Sequence, residues 1–120
     1  MSLKENKCEA CRIGAPLVTA AEKEEFFKEI DGWSIIKLEN VERLVKVFKF
    51  SDYQEAATFS NAVAMLAEEE DHHPKIVLEW GAVEVSWWSH KIGGLHRNDF
   101  ICAAKTVSYT HLTLPTIRWV

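Results

Sequence analysis

The chain has 120 residues, the length of one domain, and its 48% hydrophobic and 27% charged residues exclude a disordered or fibrous protein. The formal net charge of -4 at pH 7 argues against a basic surface of the kind that binds nucleic acids. No apolar run reaches the roughly 18 residues of a membrane span, and three cysteines without a secretion signal favour a reducing compartment, so we expect a cytoplasmic protein with no membrane association.

The first half of the chain predicts an irregular arm, one helix and two strands. Residues 1–18 show no periodicity, and a helix from Thr19 to Ile30 follows, opened by a capping box with Glu22. Two β-type runs come next, at Trp33–Leu38 and Arg43–Phe50. The second run carries apolar side chains on both faces, which predicts a sheet covered by helices on one side and by a second subunit on the other.

The second half predicts a long helix, a hairpin and a last helix. Ser51 starts another capping-box pattern, and the helix Asp52–Glu70 has an apolar residue every three or four positions. Alternation then predicts the strands Lys75–Trp80 and Ala82–Ser89, and a helix begins near Arg97. The order α-β-β-α-β-β-α indicates an α+β domain, a four-stranded antiparallel sheet with three helices packed on one face.

The last fifteen residues differ in composition from the rest. Residues 106–120 are rich in threonine and apolar β-formers and include Pro115, so we predict that the last helix does not continue through them. The chain then divides into an arm (1–18), a domain (19–105) and an atypical tail (106–120). We interpret the tail as a segment foreign to the domain, such as a cloning scar.

Three histidines are the main candidates for chemistry. His72 and His73 follow the long helix, where Pro74 restricts the backbone, and His90 lies at the end of the last strand. Antiparallel geometry returns that strand end to the loop where the hairpin began, so three imidazoles can converge on one pocket. Histidine both gives and takes a proton near neutral pH, because its unperturbed pKa is about 6.5. The pattern therefore predicts an acid–base site, with a purely structural His90 as the alternative.

A metal site is the other interpretation of three histidines, since they can hold zinc with one open position. No two of them have the i, i+4 spacing of helical ligands, and the adjacent His72 and His73 would be strained in sharing one ion, so we predict no metal. The acidic run Glu68–Asp71 lies at the unfavourable end of the helix dipole. It is either a solvated helix end or a group that orients imidazoles and accepts donors from a ligand.

Two further features have weaker interpretations. Cys8-x2-Cys11 is half of a zinc knuckle, no second pair follows, and we predict no zinc there. Trp80 and Trp87 lie on apolar strand faces, which predicts core or interface positions. Trp33 and Trp88 are instead candidates for a pocket wall, with a core position as the alternative.

One spacing pattern resembles the motif of the pterin-4a-carbinolamine dehydratases at every fixed position: Glu68-x3-His72-His73-Pro74-x5-Trp80-x9-His90-x8-Asp99. The similarity runs from about Thr19 to Lys105 and includes Trp33. The stretch from Leu95 to Phe100 is similar to the bacterial branch, which accompanies phenylalanine hydroxylase.

The resemblance implies an α+β fold and an activity. Members dehydrate 4a-hydroxytetrahydrobiopterin to quinonoid dihydropterin and water, in the recycling of the pterin that phenylalanine hydroxylase uses. The pterin is the substrate, and no cofactor is implied. The family forms homodimers or homotetramers by joining sheets and packing helices.

The resemblance also implies residue roles. The catalytic residues would be His72, His73 and His90. We assign proton transfer to the last two, and to His72 either the orientation of the substrate or a share in the proton transfer. The pterin pocket would be lined by Asp71, Trp88, Ser89 and Lys91, with Glu68 nearby. Two other functions stay open: a regulatory or dimerisation cofactor protein without required catalysis, and a zinc-dependent hydrolase.

Overall fold

A computed structural model describes Leu3 and residues 17–118 of the chain, with side chains described as far as Ser108. The elements follow the predicted α-β-β-α-β-β-α order. Their bounds are α1 Ala20–Phe27, β1 Ser34–Leu38, β2 Val41–Lys49, α2 Tyr53–Glu70, β3 Lys75–Glu79, β4 Ala82–Trp87 and α3 Arg97–Arg118. None of the helices in the described ranges is long and apolar enough to cross a membrane.

The four strands form one antiparallel sheet in the order β1-β2-β4-β3. Leu44 of β2 pairs with Ile35 on one side and with Trp87 on the other, and Val85 of β4 pairs with Ile76 of β3. These residues share one face of the sheet, because successive side chains of a strand alternate between faces. In β4, Val85 and Trp87 therefore point inward, and their neighbours in the chain point to the other face.

The helices cover that inner face. Phe59 and Leu66 of α2 and Phe100 of α3 are fully or almost fully buried against the sheet, and α1 adds the ring of Phe26, 5.5 Å from that of Phe100. Each such side chain contributes about 1.5–3 kcal/mol by leaving water. The predicted three-helix layer on one face is confirmed.

The opposite face of the sheet, here called the open face, has no helix among the described residues. Ile36, Leu38 and Val47 on this face are 41%, 50% and 45% exposed. Of the two apolar faces of β2, the helices therefore cover one, and the other is exposed in the single chain. The second subunit expected on this face stays a prediction.

The two helix starts differ in how well the capping patterns predicted them. The Thr19–Glu22 box is present, with hydrogen bonds of 3.1 and 2.9 Å. The box predicted at Ser51 is wrong, because the N-cap of α2 is Asp52, whose side chain accepts from the Glu55 N–H at 2.8 Å. Ser51 instead donates its hydroxyl to the Glu55 carboxylate at 2.7 Å.

The prediction for the tail is wrong in its secondary structure, because α3 continues to Arg118. The Thr106 side chain is buried, accepts the indole N–H of Trp87 at 3.0 Å and donates to the Cys102 carbonyl at 2.6 Å. Packing and a satisfied hydroxyl thus outweigh a weak helix propensity at the start of this segment. The predicted arm, apart from Leu3, and the Cys8-x2-Cys11 pair lie outside the described residues.

Candidate active site

The turn that ends α2 places the adjacent His72 and His73 in different environments. Asp71 adopts a left-handed conformation (φ 52°, ψ 42°), and the His72 N–H closes back on the Ala67 carbonyl at 3.1 Å. This is the hydrogen bond of a Schellman motif, and aspartate tolerates the left-handed region better than most side chains. After the turn His72 is buried, whereas the side chain of His73 is 56% exposed.

His72 is held by a carboxylate and an aromatic ring. Its Nε2 lies 2.6 Å from Oδ1 of Asp99, and its ring stacks on Trp87 with centroids 5.6 Å apart and planes 10° apart. Asp99 is fully buried and also accepts the Ser89 hydroxyl at 2.8 Å. An ionised carboxylate only accepts hydrogen bonds, so Nε2 of His72 carries the proton in this pair.

The same carboxylate caps a helix. Asp99 is the third residue of α3, and its Oδ2 accepts the backbone N–H of His96 at 2.8 Å. The His96 imidazole in turn accepts the Asn98 N–H at 3.0 Å, so the two side chains act as the halves of a capping box. A negative charge in the first turn of a helix is favoured by the helix dipole. Helix formation and the placement of His72 therefore depend on one buried group.

His90 lies on the open-face side of the sheet end. Its ring centroid is 4.4 Å from that of Trp88, with planes 37° apart, and its Nε2 donates to the His73 carbonyl at 3.3 Å. The exposed Glu68 carboxylate is 3.8 Å from Nε2 of His73, a surface ion pair that contributes little to stability. The structure thus joins His90 to His73 through the backbone and keeps both rings accessible.

The three predicted histidines are distributed around the end of β4. His72 contacts Trp87, which points toward the helices, and His90 contacts Trp88, which points the other way. Over the part of the chain that the structure describes, no group of three His, Cys, Asp or Glu side chains is arranged to hold a metal ion.

The loop after His90 is closed by backbone hydrogen bonds. The Ser89 N–H donates to the Gly94 carbonyl at 2.8 Å, and the Ser89 carbonyl accepts from Gly93 at 2.9 Å. Gly93 has a φ of +65°, which glycine adopts without strain. Lys91 is exposed in this loop, one residue from His90.

Three other residues of the resemblance have structural positions. Pro74 is half-buried directly before β3. Trp33 belongs to the core, where its ring meets Phe48 edge-on at 6.0 Å. Trp80 follows the last residue of β3, in the turn at the far end of that strand from the histidines, and is 73% exposed. The core half of the prediction for Trp80 is therefore wrong, because β3 ends at Glu79 and the alternation ends with it. An interface position for Trp80 stays a prediction.

Two residues at the site were missed from the sequence. His96 supports Asp99, and Arg43 of β2 places its guanidinium carbon 4.1 Å from the Trp88 ring centroid. Alternation along β2 assigns Arg43 to the Val45 and Val47 face. Its meeting with Trp88, however, depends on the pairing register of β2 with β4, which no local pattern specifies.

Comparison with known proteins agrees with this architecture. The family described as pterin 4 alpha carbinolamine dehydratase matches residues 16–109. Two bacterial relatives bear the name pterin-4-alpha-carbinolamine dehydratase. The Saccharophagus degradans protein is 56% identical over 104 residues (87% of this chain, 92% of that one), and the Vibrio vulnificus protein is 54% identical over 103 (86% and 94%).

Solved structures of pterin dehydratases and related proteins are also similar to this chain. A transcriptional coactivator/pterin dehydratase from Brucella melitensis superposes with a TM-score of 0.69 at 30% identity, covering 78% of this chain and 97% of that one. A pterin dehydratase-like protein, a RuBisCO assembly factor of the alpha-carboxysome, reaches 0.53 at 25% identity over 62% and 87% of the two chains. The match over most of the chain, with relatives above 50% identity, shows that this protein belongs to the pterin-4a-carbinolamine dehydratase family.

Proposed function

We propose that this protein is a hydro-lyase that dehydrates a pterin-4a-carbinolamine to quinonoid dihydropterin and water. The observation that carries the proposal is that a buried, carboxylate-bound His72 and two accessible histidines, His73 and His90, lie at the same end of the sheet. Membership of the family supports the same activity. Because the reaction changes no oxidation state, it needs no redox cofactor.

The reaction requires one acid and one base. The lone pair on N5 of the pterin forms the C4a–N5 double bond as the C4a–O bond breaks, the leaving hydroxyl takes a proton and departs as water, and N5 loses its proton. His73 and His90 are accessible enough to meet the substrate and exchange protons with solvent. A positioned acid or base contributes typically 10²–10⁴-fold to such a step.

The hydrogen bond between these two residues suggests their roles. The carbonyl of His73 can only accept, so Nε2 of His90 carries a proton and, in the neutral imidazole, Nδ1 is unprotonated. We therefore assign His90 as the base that takes the N5 proton and His73 as the acid for the leaving hydroxyl. His72, fixed by Asp99 and Trp87, orients the pterin.

The other residues implied by the resemblance divide into two groups. Ser89 is fully buried and its hydroxyl is donated to Asp99, so we assign it to support that carboxylate and not to contact the pterin. The remaining four are at least partly exposed around the histidines and are proposed to line the pocket: Glu68, Asp71, Trp88 and Lys91.

The test is a coupled assay in which phenylalanine hydroxylase generates the carbinolamine and its absorbance decay is followed. The wild-type protein should speed the decay, and His73→Ala and His90→Ala should each lose about 10²-fold or more of that acceleration. Met65→Ala, on the exposed outer side of α2, is the matched control and should retain it. Full activity in both histidine variants would refute the assignment, and no acceleration by the wild type would refute the activity.

A regulatory or assembly role is the second candidate, supported by the apolar residues of the open face. Ile36, Leu38 and Val47 together suit a contact with another protein chain, and a homodimer or homotetramer is the occupant we propose. Replacing Val47 by lysine should then lower the mass measured by light scattering and leave the core intact.

A functional link to phenylalanine hydroxylase is part of the first proposal, since that enzyme's reaction produces the substrate.

A further inference from the structure

The strand pairing ends where the site begins. The ladder between β2 and β4 stops at Leu44 and Trp87, and extending the register by one residue sets Arg43 opposite Trp88. On the other side, β3 starts at Lys75, paired with Ser86, and extending that register by two residues sets His73 opposite Trp88. Trp88 therefore lies between two neighbouring segments at the point where β4 leaves the sheet toward His90.

Arg43 holds this departing segment by a side-chain contact. Its guanidinium carbon is 4.1 Å from the Trp88 ring centroid, within the range of a cation–π interaction. No carboxylate pairs with Arg43 among the described residues, and its Nε is buried without a hydrogen-bond partner. The indole face is thus the principal partner of this charge, and a planar guanidinium suits such stacking better than an ammonium.

Trp88 in turn fixes the imidazole of His90. The two ring centroids are 4.4 Å apart, whereas the hydrogen bond from His90 to the His73 carbonyl is long, at 3.3 Å. His90 lies three residues beyond the last residue of β4, outside the ladder, so ring contact is its main restraint. We propose that Arg43 is a positioning residue of this site, which orients the imidazole of His90 through Trp88. The catalytic part of this proposal rests on the function proposed above.

The test combines a spectroscopic readout with kinetics in Arg43→Met and Arg43→Lys. The Trp88 ring current shifts the Cε1–H proton signal of His90, assigned with a His90→Gln variant. Arg43→Met should move this signal toward its position in Trp88→Ala, while the His72 signal, set by Trp87, stays in place. The kcat should fall on the order of 10-fold with KM within about twofold, less than the 10²-fold cost of a 1 Å misplacement. Arg43→Lys, which keeps the charge, should restore part of both readouts.

Lys46→Met is the matched control, because it removes a cation 5.4 Å from the Phe48 ring on the same strand. It should change neither the His90 signal nor kcat. An unmoved His90 signal with wild-type kcat in Arg43→Met would overturn the proposal. Joint movement of the His90 and His72 signals with a lowered Tm would also overturn it, because that pattern indicates general destabilisation of the fold. If the wild type has no dehydratase activity but Arg43→Met moves only the His90 signal, the proposed function fails and the positioning of His90 stands.

Discussion

Replacing Asp99 by asparagine would test the group on which both α3 and His72 depend. The buried carboxylate accepts from three donors: Nε2 of His72 at 2.6 Å, the Ser89 hydroxyl at 2.8 Å and the His96 N–H at 2.8 Å. Asparagine offers one carbonyl oxygen and an NH2 group, so at least one of these donors meets a donor instead of an acceptor.

The expected loss of stability follows from these contacts. Two hydrogen bonds to a charged group become neutral, at about 1 kcal/mol each, and one buried donor left without an acceptor costs about 1–3 kcal/mol. We therefore expect the free energy of unfolding of Asp99→Asn to fall by about 3–5 kcal/mol, which lowers the Tm by roughly 12–20 °C at about 4 °C per kcal/mol. His72 also loses its fixed orientation, so dehydration should slow by about 10²-fold.

Urea unfolding followed by tryptophan fluorescence measures the first effect, and the coupled carbinolamine assay measures the second. Asp52→Asn is the matched control, because Asp52 caps α2 at an exposed position and asparagine caps helices equally well. Its unfolding free energy should change by less than about 0.5 kcal/mol. A loss in Asp99→Asn no larger than in this control, with activity retained, would refute the shared role of the carboxylate.

Two further predictions concern the C-terminal end of α2, beside the site. Lys105→Met removes the 2.7 Å partner of the buried Glu70 carboxylate and should lower the unfolding free energy by about 3 kcal/mol. Lys23→Met breaks an equally short but more exposed pair with Glu42 and should cost less than about 1 kcal/mol. Equal losses of the two variants in urea unfolding would contradict the argument from burial. Asp71→Val should lower the unfolding free energy by about 1–2 kcal/mol because a β-branched residue is strained at φ 52°, whereas Asp71→Gly should leave it unchanged. Equal stability of the two variants in thermal unfolding would contradict this argument from backbone strain.

Much of the fold could be predicted from local patterns. The Thr19–Glu22 capping box and the alternation along β4 depend on residues within a few positions of one another, so short-range sterics and burial determine them. The strand bounds follow from the sequence within one or two residues for the same reason, and the spacing of His72, His73 and His90 predicts a site. Local patterns failed where a residue leaves its element, as Trp80 does after Glu79.

The contacts that organise the site depend on pairings between distant parts of the chain. Asp99 meets His72 across 27 positions, and Arg43 meets Trp88 only because of the register in which β2 and β4 pair. Thr106 stays helical because its hydroxyl and the indole of Trp87 satisfy each other in the core. Residue types and their spacing therefore predict which groups are candidates for chemistry, while register and packing determine which groups hold them, because burial energy is shared among residues that no local pattern connects.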